Sequence, residues 1–353
     1  MLEREAGPYG LPRAAHLDGA ALRVLAEAGA ALDPATTRPL DGFDLVDRRG
    51  RRLLRGRPAE APPDGFPPGL LVHQPDVERA LRARLGALAA VRVRQGHEVT
   101  AVEDDAAGVT VRGEGLGGPF AVRAALAVGC DGVRSLVRET IGARLVGGRF
   151  RQDWLVVDVR LDDPERTGPA LPDRLLQTAD PARPTTYVPF ADPRRRWEFR
   201  VMPGDDPGAL CRPDGLRVLL APHVDPDAVE VDRAAVYTFR AAVARPWRRG
   251  RLALAGDAAH QMPPFLGQGL GAGLRDARAL APLLDAVARG APPDALDAYE
   301  RERRPHVAAV VRQSVRLGRL ATLPDPLAAA RDRLFLAARR VPALRRGLDR
   351  VRG

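Results

Sequence analysis

Residues 251–276 read RLALAGDAAHQMPPFLGQGLGAGLRD. The apolar run Leu252-Ala253-Leu254-Ala255 has the length of a buried strand and ends at Gly256-Asp257. Pro263-Pro264 then makes a rigid turn, and Gly267-Gln268-Gly269 is a glycine-rich loop after which the pattern becomes helical. A buried strand, a polar loop and a helix N-terminus follow one another directly. That succession suits an anionic or electron-accepting ligand, because the first amides of a helix are unpaired and carry its positive dipole end.

The chain has 353 residues, enough for two domains with a substantial core. Its net charge is +10, which in isolation points to nucleic acid or a membrane surface. The composition points elsewhere. All 55 basic residues are Arg, Lys and Asn are absent, and the single Ile is Ile141. Ala, Gly, Pro and Arg dominate throughout, as in the codon usage of a GC-rich genome. Neither zinc-ligand spacing nor a basic block interleaved with aromatics is present, so no nucleic-acid partner is expected. Cys130 and Cys211 are the only cysteines, which implies neither a disulfide framework nor a metal site and fits a reducing cytoplasm. No apolar run approaches the roughly 18 residues of a membrane span, so no membrane partner is expected. The start, MLEREAGPYG, has no signal-peptide core.

From the start of the chain, Met1-Leu2-Glu3-Arg4 reads as the end of a strand with an acidic tip. In a dinucleotide-binding βαβ unit such a residue holds a ribose hydroxyl; the alternative for Glu3 is a solvated terminal residue. Asp18 suits the N-cap of a helix over 19–29, ended by Gly29. A hairpin is expected over 43–54, a loop over 61–69 and an amphipathic helix over 76–88. Short strands are expected near 91–95, 98–103, 108–112 and 119–123. The apolar strand 125–129 runs into Cys130-Asp131-Gly132-Val133-Arg134-Ser135 and a helix over about 133–141. This is a second strand–acid–glycine–helix joint. Aromatic-rich strands at 153–159, 185–189, 196–202 and 234–240 suggest a mostly antiparallel sheet that walls a small-molecule pocket, or aromatics that are simply core. Helices follow over about 270–289 and 294–319, with Pro305 inside the second.

Gly129-Cys130-Asp131-Gly132-Val133-Arg134-Ser135 resembles the DG motif of the single-component FAD-dependent aromatic hydroxylases, and Gly256-Asp257-Ala258-Ala259-His260 through Gly267-Gln268-Gly269 resembles their GD motif. Within that group the chain is most similar to 3-(3-hydroxyphenyl)propionate hydroxylases. The likeness rests on Gly10-Leu11-Pro12-Arg13-Ala14, His73-Gln74-Pro75, the 153–159 strand and Asp180 to Thr186, and spans roughly residues 1–320. It implies an α/β fold: a three-layer, Rossmann-like FAD domain over 1–150 and 245–320, an inserted mostly antiparallel substrate sheet over 151–244, and a helical tail over 321–353. It also implies FAD and NAD(P)H as cofactors, a small phenolic substrate and O2 as partners, and a homodimer as the assembly.

The resemblance assigns roles to individual residues. Asp257, following Gly256, would accept a hydrogen bond from the flavin ribitol. Gly267, Gln268 and Gly269 would let backbone approach the ring. The helix that follows would stabilise negative charge on the reduced flavin. Pro263 and Pro264 would wall the ring from water, which matters because an oxygen-activated flavin is wasted when water enters. Arg13 would lie near the pyrophosphate, Gln74 near the ribitol, and Asp131 between flavin and nicotinamide. Hydroxylation of a phenol is faster when its hydroxyl is deprotonated or strongly hydrogen-bonded, and His16 and Asp18 are the candidates for that partner. For Asp18 the N-cap is the competing reading, and for His16 a surface loop. A propionate side chain would need an arginine, with Arg183, Arg195, Arg196 and Arg200 left open.

One departure stands out: the strand and GxGxxG helix with which these hydroxylases begin are missing, so an N-terminally truncated chain that holds FAD weakly is the expectation. The rival readings are a polyketide-tailoring hydroxylase of the same fold and a remnant that no longer holds FAD.

Overall fold

The computed structural model describes all residues except 9, 11, 58–64, 106, 163–170, 192, 349–350 and 353. The expected loop at 61–69 therefore lies partly outside the described residues.

Strand Leu252–Leu254 lies parallel to Ala127–Gly129, with Leu254 opposite Gly129. All three residues of the first strand are buried, as a run flanked on both faces requires. Helix Leu136–Thr140 packs beside this pair, and the long helices Gly269–Ala288 and Asp297–Ala321 close the core through Leu280, Tyr299 and Val307. Each such side chain withdrawn from water contributes about 1.5–3 kcal/mol. Strands Glu98–Asp105, Gly108–Gly115 and Gly118–Ala124 form at the three later expected positions, and they pair as an antiparallel meander. No strand forms at 91–95: Arg94 makes only an isolated bridge to Leu2. Arg92, Val93 and Arg94 are all exposed, so this segment has no apolar face to hold it in a sheet.

A small sheet joins His16–Asp18, Gly69–Val72 and Thr37–Pro39. Asp18 caps helix Gly19–Glu27 through the Ala21 amide at 2.8 Å, and Gly29 beyond the helix takes φ +73°. Helix Gln74–Gly86 begins two residues earlier than its pattern suggested, with Pro75 in its first turn.

The largest sheet has nine strands in the order 260–261, 229–245, 144–161, 194–200, 185–189, 175–178, 43–46, 52–57 and 351–352. Its inner pairings are antiparallel; the 43–46 strand joins 175–178 in parallel, and 351–352 joins 52–57 in parallel. Two expectations need correction. The strands expected at 153–159 and 234–240 run over Arg144–Leu161 and Val229–Arg245, so boundaries at 150 and 244 fall inside strands. The hairpin Phe43–Arg57 also belongs to this sheet rather than to the cofactor half alone. The two strands extend because they pair with each other along nearly their whole length, interrupted only by register shifts.

The faces of this sheet differ. Leu155, Val157, Tyr187, Trp197 and Phe199 pack with Leu216, Leu220 and Val224 on one side. The alternating residues Val156, Thr186 and Glu198 face a large cavity on the other.

Candidate active site

Both acid–glycine joints leave the same ends of the two paired parallel strands, and the Ala255 amide donates to the Gly129 carbonyl at 3.0 Å. Ligands of open α/β sheets collect at the carboxyl ends of such strands. A cavity of about 920 Å³ opens there. One wall is made of loops: 13–16, Gly132-Val133, 255–257 and 264–270. The other is the nine-stranded sheet.

The loop wall is positioned from behind. Gly256 takes φ +61°, a conformation glycine reaches without penalty, and its amide donates to Asp276 Oδ2 at 3.1 Å. Asp276 is fully buried in helix Gly269–Ala288. Its carboxylate also accepts from His260 Nε2 at 2.6 Å and from Arg303 Nε at 3.0 Å. Tyr299 Oη donates to the Leu254 carbonyl, and its phenol is pushed well above its usual range, chiefly by burial. A buried, charge-assisted network thus holds the Gly256-Asp257 turn in place.

At the front of that turn, Arg13 reaches Asp257 Oδ2 at 3.1 Å. Gln74 Oε1 accepts from the amides of Arg13 and Ala14 at 3.0 and 2.7 Å. The buried guanidinium of Arg196 donates to the carbonyls of Arg13 and Pro12, while a bidentate pair with Asp158 balances its charge. Arg13, Gln74 and Asp257 lie 61 to 244 residues apart in sequence and meet here.

The glycine-rich loop closes the site. Gly267 has φ +64°, and a Cβ there would stand 3.0 Å from His16 Nδ1. Gly269 opens the 20-residue helix Gly269–Ala288, whose first amides have no side-chain cap. Gln268 turns its Oε1 to Arg275, and Arg275 forms two 2.9 Å contacts with Asp18. Burial would raise the Asp18 carboxyl, but Arg275 and the Ala21 amide outweigh it and hold it below the usual range. Asp18 is therefore an ionised cap and ion-pair partner. His16 lines the cavity, and burial lowers its pKa despite Asp18 and the Gly267 backbone.

Three of the expected site residues sit elsewhere. Glu3 accepts from the Glu5 amide at 3.0 Å, away from the cavity lining. Asp131 turns its carboxylate to Ser135 Oγ and the Val137 amide, so Cys130, Gly132 and Val133 face the cavity in its place. Pro263 is buried with its carbonyl held by Ser314, and the wall consists of Pro264, Phe265 and Leu266. Among the four candidate arginines, Arg183 pairs with Asp205, Arg195 donates to the Phe190 and Arg194 carbonyls, and Arg200 donates to the Thr322 carbonyl. Only Arg196 lines the cavity.

The residues present fit a flavin. A Cβ at Gly256 would meet nothing within 4 Å, so the turn leaves open space at the cavity, next to an uncapped helix N-terminus suited to negative charge. Sequence reasoning missed Arg275, Asp276 and Arg303, although the first two close the opening stretch. Asp276 has no motif of its own, and only the three-dimensional approach of Arg303 and His260 gives it a role.

Residues 1–314 match the family model described as an FAD binding domain. A probable NADH-specific resorcinol 4-hydroxylase of Rhodococcus jostii is 38% identical over 362 residues, covering 99% of this chain and 67% of its own length. A 3-(3-hydroxy-phenyl)propionate/3-hydroxycinnamic acid hydroxylase of Burkholderia vietnamiensis is 38% identical, covering 98% of this chain and 63% of its own. The chain thus spans about two thirds of the length of these relatives. Among solved structures, p-nitrophenol 4-monooxygenase of Pseudomonas putida superposes with a TM-score of 0.83 at 27% identity, covering 98% of this chain and 89% of that one. The anhydrotetracycline hydroxylase of Streptomyces rimosus gives 0.76 at 30% identity, covering 98% and 69%.

Proposed function

Because the chain belongs to the FAD-dependent aromatic hydroxylases, we propose that it transfers one oxygen atom of O2 to the ring carbon ortho to the hydroxyl of a small phenol. A reduced nicotinamide dinucleotide supplies the two electrons that send the other oxygen atom to water; the name of the first relative supports NADH. Bound FAD would accept the hydride and activate the dioxygen. The proposed substrate is a phenol substituted meta to its hydroxyl, of the 3-(3-hydroxyphenyl)propionate or resorcinol kind, as the names of the two relatives suggest.

The observation that carries this reading is the convergence of Arg13, Gln74 and Asp257 with the Gly267–Gly269 loop on one cavity whose far wall is a sheet. In this reading the loop wall and the helices behind it hold FAD, and the nine-stranded sheet, Phe43–Arg57 hairpin included, holds the substrate. Asp257 and Gln74 bind the ribitol side, and Arg13 lies toward the pyrophosphate. The amides opening helix Gly269–Ala288 face the negative charge of the reduced ring. Pro264, Phe265 and Leu266 exclude water. Asp131 acts indirectly, by shaping the Gly132-Val133 turn. His16, kept neutral at pH 7 by burial, is the hydrogen-bond partner of the reacting phenol; Asp18 orients Arg275 and does not take the proton. The test is NADH oxidation by the FAD-loaded protein with resorcinol and with 3-(3-hydroxyphenyl)propionate. The expected result is one hydroxylated product per NADH. Peroxide release with no hydroxylated product from any phenol overturns the reading.

A further inference from the structure

Three strands of the substrate wall bring a row of polar side chains into one line. Gln177 is registered opposite Thr186, Thr186 opposite Glu198, and Glu198 opposite Val156. Directly opposed residues stand about 5 Å apart on one face, so the row is continuous. All three polar residues line the cavity, and they are only 4%, 7% and 9% exposed. Buried polar side chains on a cavity wall are costly unless something pairs with them. Gln177 Oε1 is buried without a hydrogen-bond partner. An unpaired acceptor calls for a donor, and a carboxylate has none to give.

The guanidinium groups beside the row are largely committed to other partners. The guanidinium of Arg196 comes within 3.9 Å of Glu198 but is engaged by Asp158 and by two backbone carbonyls. Arg233 gives its two terminal nitrogens to Asp158 and Tyr237 Oη, leaving Nε alone without a partner. Arg240 lines the cavity but lies five residues along its strand from Ala235, which continues the row beyond Val156, and thus about 16 Å from the row. Burial raises the Glu198 carboxyl above its usual range, against the pull of Arg196.

We propose that Gln177, Thr186 and Glu198 form the substrate-reading row and that it selects a second ring hydroxyl over a carboxylate side chain. The inference rests on the hydroxylase reading above and narrows its substrate to a meta-dihydroxybenzene. The second hydroxyl donates to Gln177 Oε1 and exchanges hydrogen bonds with Thr186 and Glu198, while the first remains beside His16. Gln177, Thr186 and Glu198 act on specificity and take no part in oxygen transfer.

The experiment is calorimetric titration of the FAD-loaded protein with resorcinol, 3-methoxyphenol and 3-(3-hydroxyphenyl)propionate, alongside product formation. Resorcinol should bind at least about tenfold more tightly than the ether, which lacks the donor, and than the acid. Gln177→Met, which keeps volume but removes the acceptor, should narrow the gap between resorcinol and the ether to within about threefold. Glu198→Gln should narrow it less, since an amide still donates and accepts. Equal or tighter binding of the propionate overturns the inference, and this arm needs no variant to fold. An unchanged gap in Gln177→Met also overturns it. If the binding preference holds but no phenol is hydroxylated, the reading row stands and the hydroxylase reading fails.

Discussion

The two walls of the cavity are built on opposite principles. The loop wall consists of turns with little structure of their own, and their positions are dictated by buried ions behind them: Asp276 with His260 and Arg303 behind Gly256, and Arg196 with Asp158 behind Pro12 and Arg13. The sheet wall needs no such support. Its side chains are aimed by strand register, with Tyr187, Trp197 and Phe199 facing the core and Thr186 and Glu198 the cavity. The difference teaches where each kind of change should register: damage behind the loop wall should cost stability and cofactor together, whereas changes on the sheet wall should move substrate preference and leave the fold intact.

The largest effect is expected from Asp276→Ala. It strands Arg303 as a buried, uncompensated charge, so a loss of about 3–5 kcal/mol in denaturant unfolding is expected, with release of FAD. A loss below about 1 kcal/mol, the scale of a solvent-exposed pair, would show that the network does not hold the loop wall. Next is Gly256→Ala. Forcing alanine to a positive φ should cost about 1–2 kcal/mol. Because a Cβ there meets no protein atom, a loss of FAD affinity larger than the loss of apoprotein stability would identify the open space as the cofactor's. Equal losses would reduce the glycine to a backbone requirement.

Glu198→Gln probes the other wall through pH. The native carboxyl is raised, so ionising it opposes folding. Wild-type stability should therefore fall relative to the Gln variant as pH rises above the ordinary carboxylate value of 4.5 toward the raised native one, and the gap should then level off. Parallel thermal-melting profiles across that range would place Glu198 in contact with water. The smallest change in stability is expected for Arg13→Ala. Arg13 and Asp257 are both about half-exposed, so the pair should contribute less than about 1 kcal/mol to folding. The signature of this variant is weaker FAD retention at nearly unchanged melting temperature.

Much of the loop wall was legible in the sequence because its chemistry is local. Gly256-Asp257, Gly267 and Gly269 announce a turn and a helix start within a few residues, and Asp18 announces its cap. What was not legible depends on long-range approach. Asp131 reads as a ligand-facing acid, yet it caps the helix that begins five residues later, because the Ser135 hydroxyl and the Val137 amide take its two oxygens. Pro263 and Pro264 look equivalent as a pair, but Ser314, from a distant helix, takes the carbonyl of the first. Glu198 was visible only as one charge in an arginine-rich strand. Alternation with Trp197 and Phe199 could have placed it with Arg196 on the opposite face; its alignment with Thr186 and Gln177 needed the pairing of three strands.

The register of strand Arg194–Arg200 has a consequence for how such a protein can change. A single-residue insertion or deletion in the connection before it would rotate the strand by one position and exchange Arg196 and Glu198 for Trp197 and Phe199 at the cavity. The Arg196 donors would leave the Pro12 and Arg13 carbonyls with it, so one genetic event would disturb both walls of the cavity together. Selection on this protein should therefore hold the length of that connection fixed and explore substrate space through the side chains of the row itself.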